Sequence, residues 1–340
     1  MSDKDDDDIE CCGSGCTNCV LDRDLGTRTI PKEGCWNVIT TNYSTFRLAS
    51  IEKCTFNTYL LTFRWDDERL VRNFEEKSPI LSISGGSHLM LRAPKDFSEG
   101  NFNEIFENFH ENSLKTSKNE NFQRKIVEKH DKTEEDVFIS RPYTPILVDE
   151  VTCSFSILVK LEPHGLMSTY IQKLHVGALT EWKGTYNNLP QTSIKAADRI
   201  ICFSHGVSIA PFYSLAQELT ADESFEGAIE LFACFKDMKN ILLRDKLIEL
   251  NGYWNFKSTI VLSRERHTSE NCKKGCFCTG SHQKFNEKLI FGRLNEEFLK
   301  ENVKICQNEK TVILICGSED FVKSIFNAFD PQNGLEIHIL

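Results

Sequence analysis

The chain has 340 residues and a mass of 39.0 kDa, with 40% hydrophobic and 26% charged residues, which suffices for two soluble domains with separate cores. A net charge of -10 argues against nonspecific nucleic-acid binding, no apolar run approaches the length of a transmembrane span, and the acidic start through Asp5, Asp6, Asp7 and Asp8 lacks the features of a secretory signal. The 14 cysteines are therefore expected as reduced thiols or metal ligands of an intracellular, cytoplasmic protein, compatible with peripheral membrane or mitochondrial association.

Residues 1-30 read as a separate acidic, Cys-rich module. Cys11, Cys12, Cys16 and Cys19 are interleaved with Gly13 and Gly15, so several sulfurs can converge on zinc or an iron–sulfur centre. Four free thiols on a flexible leader are the alternative, because no histidine follows at a zinc-finger spacing. The segment is similar to the short oxidoreductase-like module that precedes some reductases. From Asn42 the pattern turns to short strands rich in β-branched and aromatic residues, at 44-55, 58-65, 80-83 and 85-92, with a turn at Asn57. Successive strands of this kind suggest an antiparallel barrel. A polar stretch at about 95-135, with Phe97, Phe102, Phe106, Phe109 and Phe122 scattered through it, reads as an inserted loop.

Next comes Arg141-Pro142-Tyr143-Thr144-Pro145-Ile146, between an apolar run at 137-139 and a strand at 152-160. Each proline pushes the residue before it toward extended geometry, so the motif is a stiff strand end. Alternation would turn Arg141 and Tyr143 to one side and Thr144 to the other. A guanidinium fork suits phosphate, an aromatic ring a flat heterocycle, and a hydroxyl a ring nitrogen, which together describe a nucleotide-like cofactor with a planar head. Farther on, 198-211 has the form of a buried strand, a turn and a helix start, the first βα unit of a doubly wound sheet. Strands at 228-235, 256-263 and 311-318 and helices from Asp237 and Asp320 continue it. Cys272, Cys276 and Cys278, with His267 and His282, leave zinc binding and free loop thiols both open.

Five segments in this order, RPYTPI, LVKLEPHGLMSTYI, HGVSIAPFYSL, LFACFKDMKNILLRDKLIEL and ICGSEDF, resemble the landmarks of the NADH–cytochrome b5 reductase group within the ferredoxin-reductase superfamily. The resemblance implies an α+β two-domain fold: an antiparallel six-stranded FAD-binding β-barrel over 42-190, then a doubly wound α/β NAD(P)-binding domain over 197-340. It implies that Arg141 neutralises the FAD pyrophosphate within a frame stiffened by Pro142, that Tyr143 stacks on the flavin and ribityl, and that Thr144 bonds flavin N5. By the same resemblance the main chain around Val159 flanks the isoalloxazine and Lys160 lies near the nicotinamide cofactor. Gly165, Met167 and Ser168 belong to the pyrophosphate segment, Gly206 and Pro211 to the nucleotide turn, and Cys316-Gly317 to the wall beside hydride transfer.

The turn departs from the family's Gly-Gly-Thr-Gly-Ile-Thr-Pro. Only Gly206, Ile209 and Pro211 remain, with His205 and Ser208 in place of glycines and Val207 and Ala210 in place of threonines. A Cβ at such a turn is expected to cost strain or room. Two readings follow, a reductase with altered nucleotide binding or a relative that keeps FAD and has lost turnover. The resemblance implies hydride passing from NADH, preferred over NADPH by family habit, to FAD, and electrons then leaving to cytochrome b5 or another one-electron acceptor. The rival is a non-enzymatic or nucleotide-blind scaffold that uses its Cys-rich segments for metal or protein binding.

Overall fold

The structure, a computed structural model, describes residues 34-66, 78-95, 137-264, 283-303, 305-306, 308-329 and 335-340. Cys11, Cys12, Cys16 and Cys19, the polar insertion after Lys95, and the loop with Cys272, Cys276 and Cys278 lie outside the described residues.

The first half contributes β1 (Cys35–Asn37), β2 (Ser44–Lys53), β3 (Thr58–Trp65), β4 (Ser78–Ile80), β5 (His88–Pro94), β6 (Phe138–Tyr143), β7 (Pro145–Asp149), β8 (Ser154–Lys160) and β9 (Leu179–Tyr186), with helix α1 (Leu166–Lys173) between the last two. β1 and β4 form a small parallel pair, and the other seven form an antiparallel sheet in the order β6-β5-β9-β2-β3-β8-β7. Its two outer strands, β6 and β7, are consecutive in the chain with only Thr144 between them, so the sheet rolls up on itself. Thr144 is the closing corner, where the chain leaves its ladder with β5 and joins β8. The six strands expected become seven because this one bent stretch pairs on both sides of its bend.

Alternation fills the barrel. Phe46 and Leu48 point inward while Arg47 and Ala49 face solvent, and Phe46, Phe63, Phe155 and Trp182 meet at ring-centroid distances of 4.9–5.5 Å. No strand is expected from the sequence at β9, because Glu181 interrupts the apolar pattern. That carboxylate is buried against Arg92, with Nη2–Oε2 at 2.6 Å. The expected strand at 80-83 is also corrected: β4 ends at Ile80, and Leu81 fills the barrel core from an irregular connection.

The second half begins with helix α2 (Gln191–Lys195) and holds β10 (Arg199–His205), α3 (Ile209–Ala221), β11 (Ala228–Phe235), α4 (Arg244–Leu250), β12 (Phe256–Leu262), β13 (Leu289–Phe291), α5 (Glu296–Asn302), β14 (Thr311–Cys316), α6 (Glu319–Phe326) and β15 (Glu336–Ile339). The strands are parallel in the order β13-β12-β11-β10-β14-β15. Alternate residues feed two cores: Ile200, Cys202, Leu231 and Leu314 pack with α3 and α4, whereas Ile201, Phe203, Phe232 and Ile315 pack with α5 and α6. Burial on both faces explains the continuous apolar stretches 200-203 in β10, 231-235 in β11 and 312-316 in β14. The helix expected from Asp237 is instead a short 3-10 turn, Met238–Asn240, capped by Asp237, with α4 starting only at Arg244.

The halves share a core. Ile146 and Leu158 of the barrel belong to the same apolar cluster as Ile209, Phe212 and Leu215 of α3. The Gly85 N–H donates to the Glu218 carboxylate of α3, and a Cβ at Gly85 would stand 2.7 Å from the Ser214 carbonyl oxygen and 2.8 Å from Glu218 Cβ. Gly85→Ala is therefore expected to cost about 1–3 kcal/mol by forcing backbone apart. Thermal unfolding should show the lower midpoint.

Candidate active site

The FAD-type motif lies on β6 and at its corner. In the ladder with β5, Arg141 pairs with Leu91, Pro142 with Met90 and Tyr143 with Leu89. Proline survives here because β6 is bonded on one side only and stands at the end of the sheet order. Arg141 is exposed, and its Nη1 donates to the Ser140 carbonyl at 2.8 Å. Tyr143 is half-buried with its ring edge-on to Trp182 at 6.1 Å, and burial pushes its phenol up to about 12, partly offset by the Arg141 charge. At neutral pH it is an uncharged ring.

Behind the motif, the Arg92 guanidinium sits 4.0 Å from the Tyr43 ring centroid and 4.4 Å from that of Phe138, while bonding Glu181. The Tyr43 hydroxyl meets Ser140 Oγ at 3.0 Å. This buried group steadies the strand next to Arg141, and sequence reading did not find it.

Helix α1 packs against β6. It opens on Gly165 with no side-chain cap and no acidic residue in its first turn. His164, at φ +68°, turns the chain into the helix. The Met167 side chain is buried in the barrel core, and the Ser168 hydroxyl accepts from the Glu162 N–H at 3.0 Å, so it closes the turn. Val159 is likewise buried, next to exposed Lys160, whose Nζ lies 2.5 Å from Glu162. An exposed guanidinium, an uncapped helix start and a half-buried phenol on neighbouring elements match the chemistry of a flavin dinucleotide, whose phosphates need donors and whose ring system needs an aromatic wall.

In the nucleotide half the strand order reverses between β10 and β14, the position where doubly wound sheets bind ligands outside their carboxyl ends. β10 ends in His205 and β14 in Cys316, with Ser204 and Cys316 in register. The strain expected of His205 and Ser208 is not found: their φ values are -128° and -69°, ordinary for any residue. The one position that demands glycine, Gly206 at φ +63°, has it.

Ser208 also has an internal task. Its Oγ accepts from the His205 N–H at 2.8 Å and lies 2.9 Å from the His205 carbonyl and 2.6 Å from the Cys316 carbonyl, to either of which it can donate. The hydroxyl ties the turn to the end of β14. The His205 ring stacks on Phe321 at 5.5 Å and 24°, a contact that sequence reading missed. Burial, and then the Lys160 charge reaching across from the barrel, hold the imidazole below its usual pKa, so it is neutral at physiological pH. Cys316 is half-buried, and burial pushes its thiol up to about 11 against an opposing bond from Ser208, so at neutral pH it is a protonated thiol rather than a thiolate nucleophile. Pro211 falls in the first turn of α3.

Among the described residues no group of three or more His, Cys, Asp or Glu side chains is disposed to hold a metal.

Two family models match the chain, the oxidoreductase FAD-binding domain over residues 126-190 and the oxidoreductase NAD-binding domain over 203-326. The human protein "NADH-cytochrome b5 reductase-like" is 26% identical over 333 residues, covering 93% of this chain and 86% of that protein. Among solved structures, the cytochrome b5 reductase domain of Ulva prolifera nitrate reductase matches with a TM-score of 0.57 and 15% identity, covering 89% of this chain and 100% of that one. A ferredoxin NADP+ reductase from Neisseria gonorrhoeae with bound FAD and NADP matches with a TM-score of 0.57 and 14% identity, covering 88% and 98%. At such identities the two structures speak for the fold alone.

Proposed function

Since the chain belongs to the FAD- and NAD-binding oxidoreductases of the cytochrome b5 reductase-like group, we propose that it takes hydride from NADH onto bound FAD and passes the electrons singly to a small redox protein such as cytochrome b5. The flavin supplies the conversion of a two-electron donor into one-electron steps, and the protein supplies binding and orientation. In this reading Arg141 offers its fork to the pyrophosphate, with the main-chain amides at the start of α1 as further donors. The Tyr143 ring forms a wall of the flavin pocket, and Thr144, free of ladder pairing at the barrel corner, presents its hydroxyl to the reactive edge. The main chain at Val159 borders the ring system, while Lys160, at the end of β8, stands beside the nucleotide turn. Cys316 and Gly317 border the nicotinamide, where an uncharged thiol limits space without competing for hydride.

What carries the reading is the meeting of the two motifs. β7, the continuation of RPYTPI, packs on α3, and β8 reaches the turn at Gly206–Ser208, so the flavin strand and the nucleotide turn are held side by side by one apolar core. Such juxtaposition is what direct transfer between two bound rings requires. Purified protein is expected to be yellow and to bleach on anaerobic addition of NADH, with NADPH less effective, and the reduced protein to reduce cytochrome b5. Protein that stays colourless in excess FAD, or yellow protein that NADH never bleaches, would contradict the proposal.

A further inference from the structure

The crevice at the reversal of strand order is bounded by the carboxyl end of β10 on one side and by the β14–α6 turn on the other. A side chain from each bank meets in it. The His205 ring, from the end of β10, lies against the Phe321 ring of α6 with centroids 5.5 Å apart and planes 24° from parallel. Gly317 lies beneath them: a Cβ there would stand 2.7 Å from Phe321 Cδ1 and 3.1 Å from His205 Cβ. The pair thus lies over the Cys316-Gly317 corner, and glycine at 317 leaves the room it occupies. Ser208 fixes the base of the same pair by bonding the His205 N–H and the Cys316 carbonyl, so the backbone under the imidazole is anchored to both banks.

We propose that His205 gates the nucleotide half-reaction: stacked on Phe321 it bars the switch-point crevice, and the dinucleotide reaches the flavin only when the imidazole leaves Phe321. This rests on the oxidoreductase reading and adds to it a gating step. The affinity for the donor includes the work of parting two rings, about 0.5–1.5 kcal/mol for an aromatic pair, which corresponds to roughly a two- to tenfold weakening. Ser208 is a positioning residue that acts through His205.

The test uses the full-length flavin-loaded protein and its His205→Gly and His205→Ala variants. Anaerobic flavin bleaching is followed against NADH concentration, and NAD+ affinity is measured separately by calorimetry, a readout that does not depend on turnover. Both variants should lower the half-saturating NADH concentration and the NAD+ dissociation constant by roughly two- to tenfold, with bound FAD per chain as in the parent. Unchanged or weaker NAD+ binding in folded, flavin-loaded variants would overturn the gate and make His205 inert or a nucleotide contact. If neither parent nor variants bleach while NAD+ still binds more tightly to the variants, the gate stands and the hydride-transfer reading falls.

Discussion

Glu181→Ala is expected to lower the unfolding free energy by about 3–5 kcal/mol, because it strands a buried guanidinium. The Arg92 and Glu181 side chains are 9% and 4% exposed, and two Arg92 nitrogens, Nε and Nη2, lie 2.7 and 2.6 Å from the same carboxylate oxygen. Arg92 is further held between the rings of Tyr43 and Phe138, so removing its counter-charge leaves it no ready path to water. Chemical denaturation should show the loss as a lower midpoint with an unchanged slope. A double replacement, Arg92→Met with Glu181→Leu, should recover much of it, since an apolar pair of similar volume needs no counter-charge. Equal losses in the single and double variants would mean that packing, not ion pairing, holds β5 to β9. The functional consequence lies on the next strand, where Phe138 and Ser140 lead to the flavin motif.

Arg141→Ala should weaken FAD binding by roughly ten- to a hundredfold, the equivalent of about 1.5–3 kcal/mol for hydrogen bonds to a charged group. The unfolding midpoint of the flavin-free protein should barely move, because the side chain is exposed and, among the described residues, its guanidinium donates only to the Ser140 carbonyl of its own strand. Arg141→Lys should restore part of the affinity: the charge returns but the planar fork does not. Equilibrium dialysis of FAD and of riboflavin separates the phosphate contribution from that of the ring, since riboflavin lacks phosphate and should bind parent and variant alike. An FAD affinity unchanged by Arg141→Ala would remove the arginine from the pyrophosphate site.

Local features of this chain were legible wherever the signal lies in neighbouring residues. The prolines of RPYTPI announce a stiff strand end, the apolar stretches within β10, β11 and β14 announce strands buried on both faces, and the ordered motifs announce the pairing of a flavin barrel with a nucleotide domain. Other features belong to contacts between residues far apart in the chain. β9 was obscured because Glu181 looks like a surface residue until Arg92, 89 positions away, neutralises it. Thr144 became the barrel's closing corner only once β6 and β7 were seen at opposite ends of one sheet.

The nucleotide turn marks the boundary most sharply. By itself the sequence determined that the turn keeps glycine at 206 and carries side chains at 205 and 208, and family pattern suggested strain there. Only the tertiary structure decided that those side chains are accommodated, because the partners that satisfy Ser208 and His205 are the Cys316 carbonyl and the Phe321 ring, more than a hundred residues later on a strand and helix brought alongside by parallel pairing. Backbone preference is a property of a few neighbouring bonds and can be read locally. Whether a side chain is satisfied depends on what the fold sets against it, and that the local sequence does not carry.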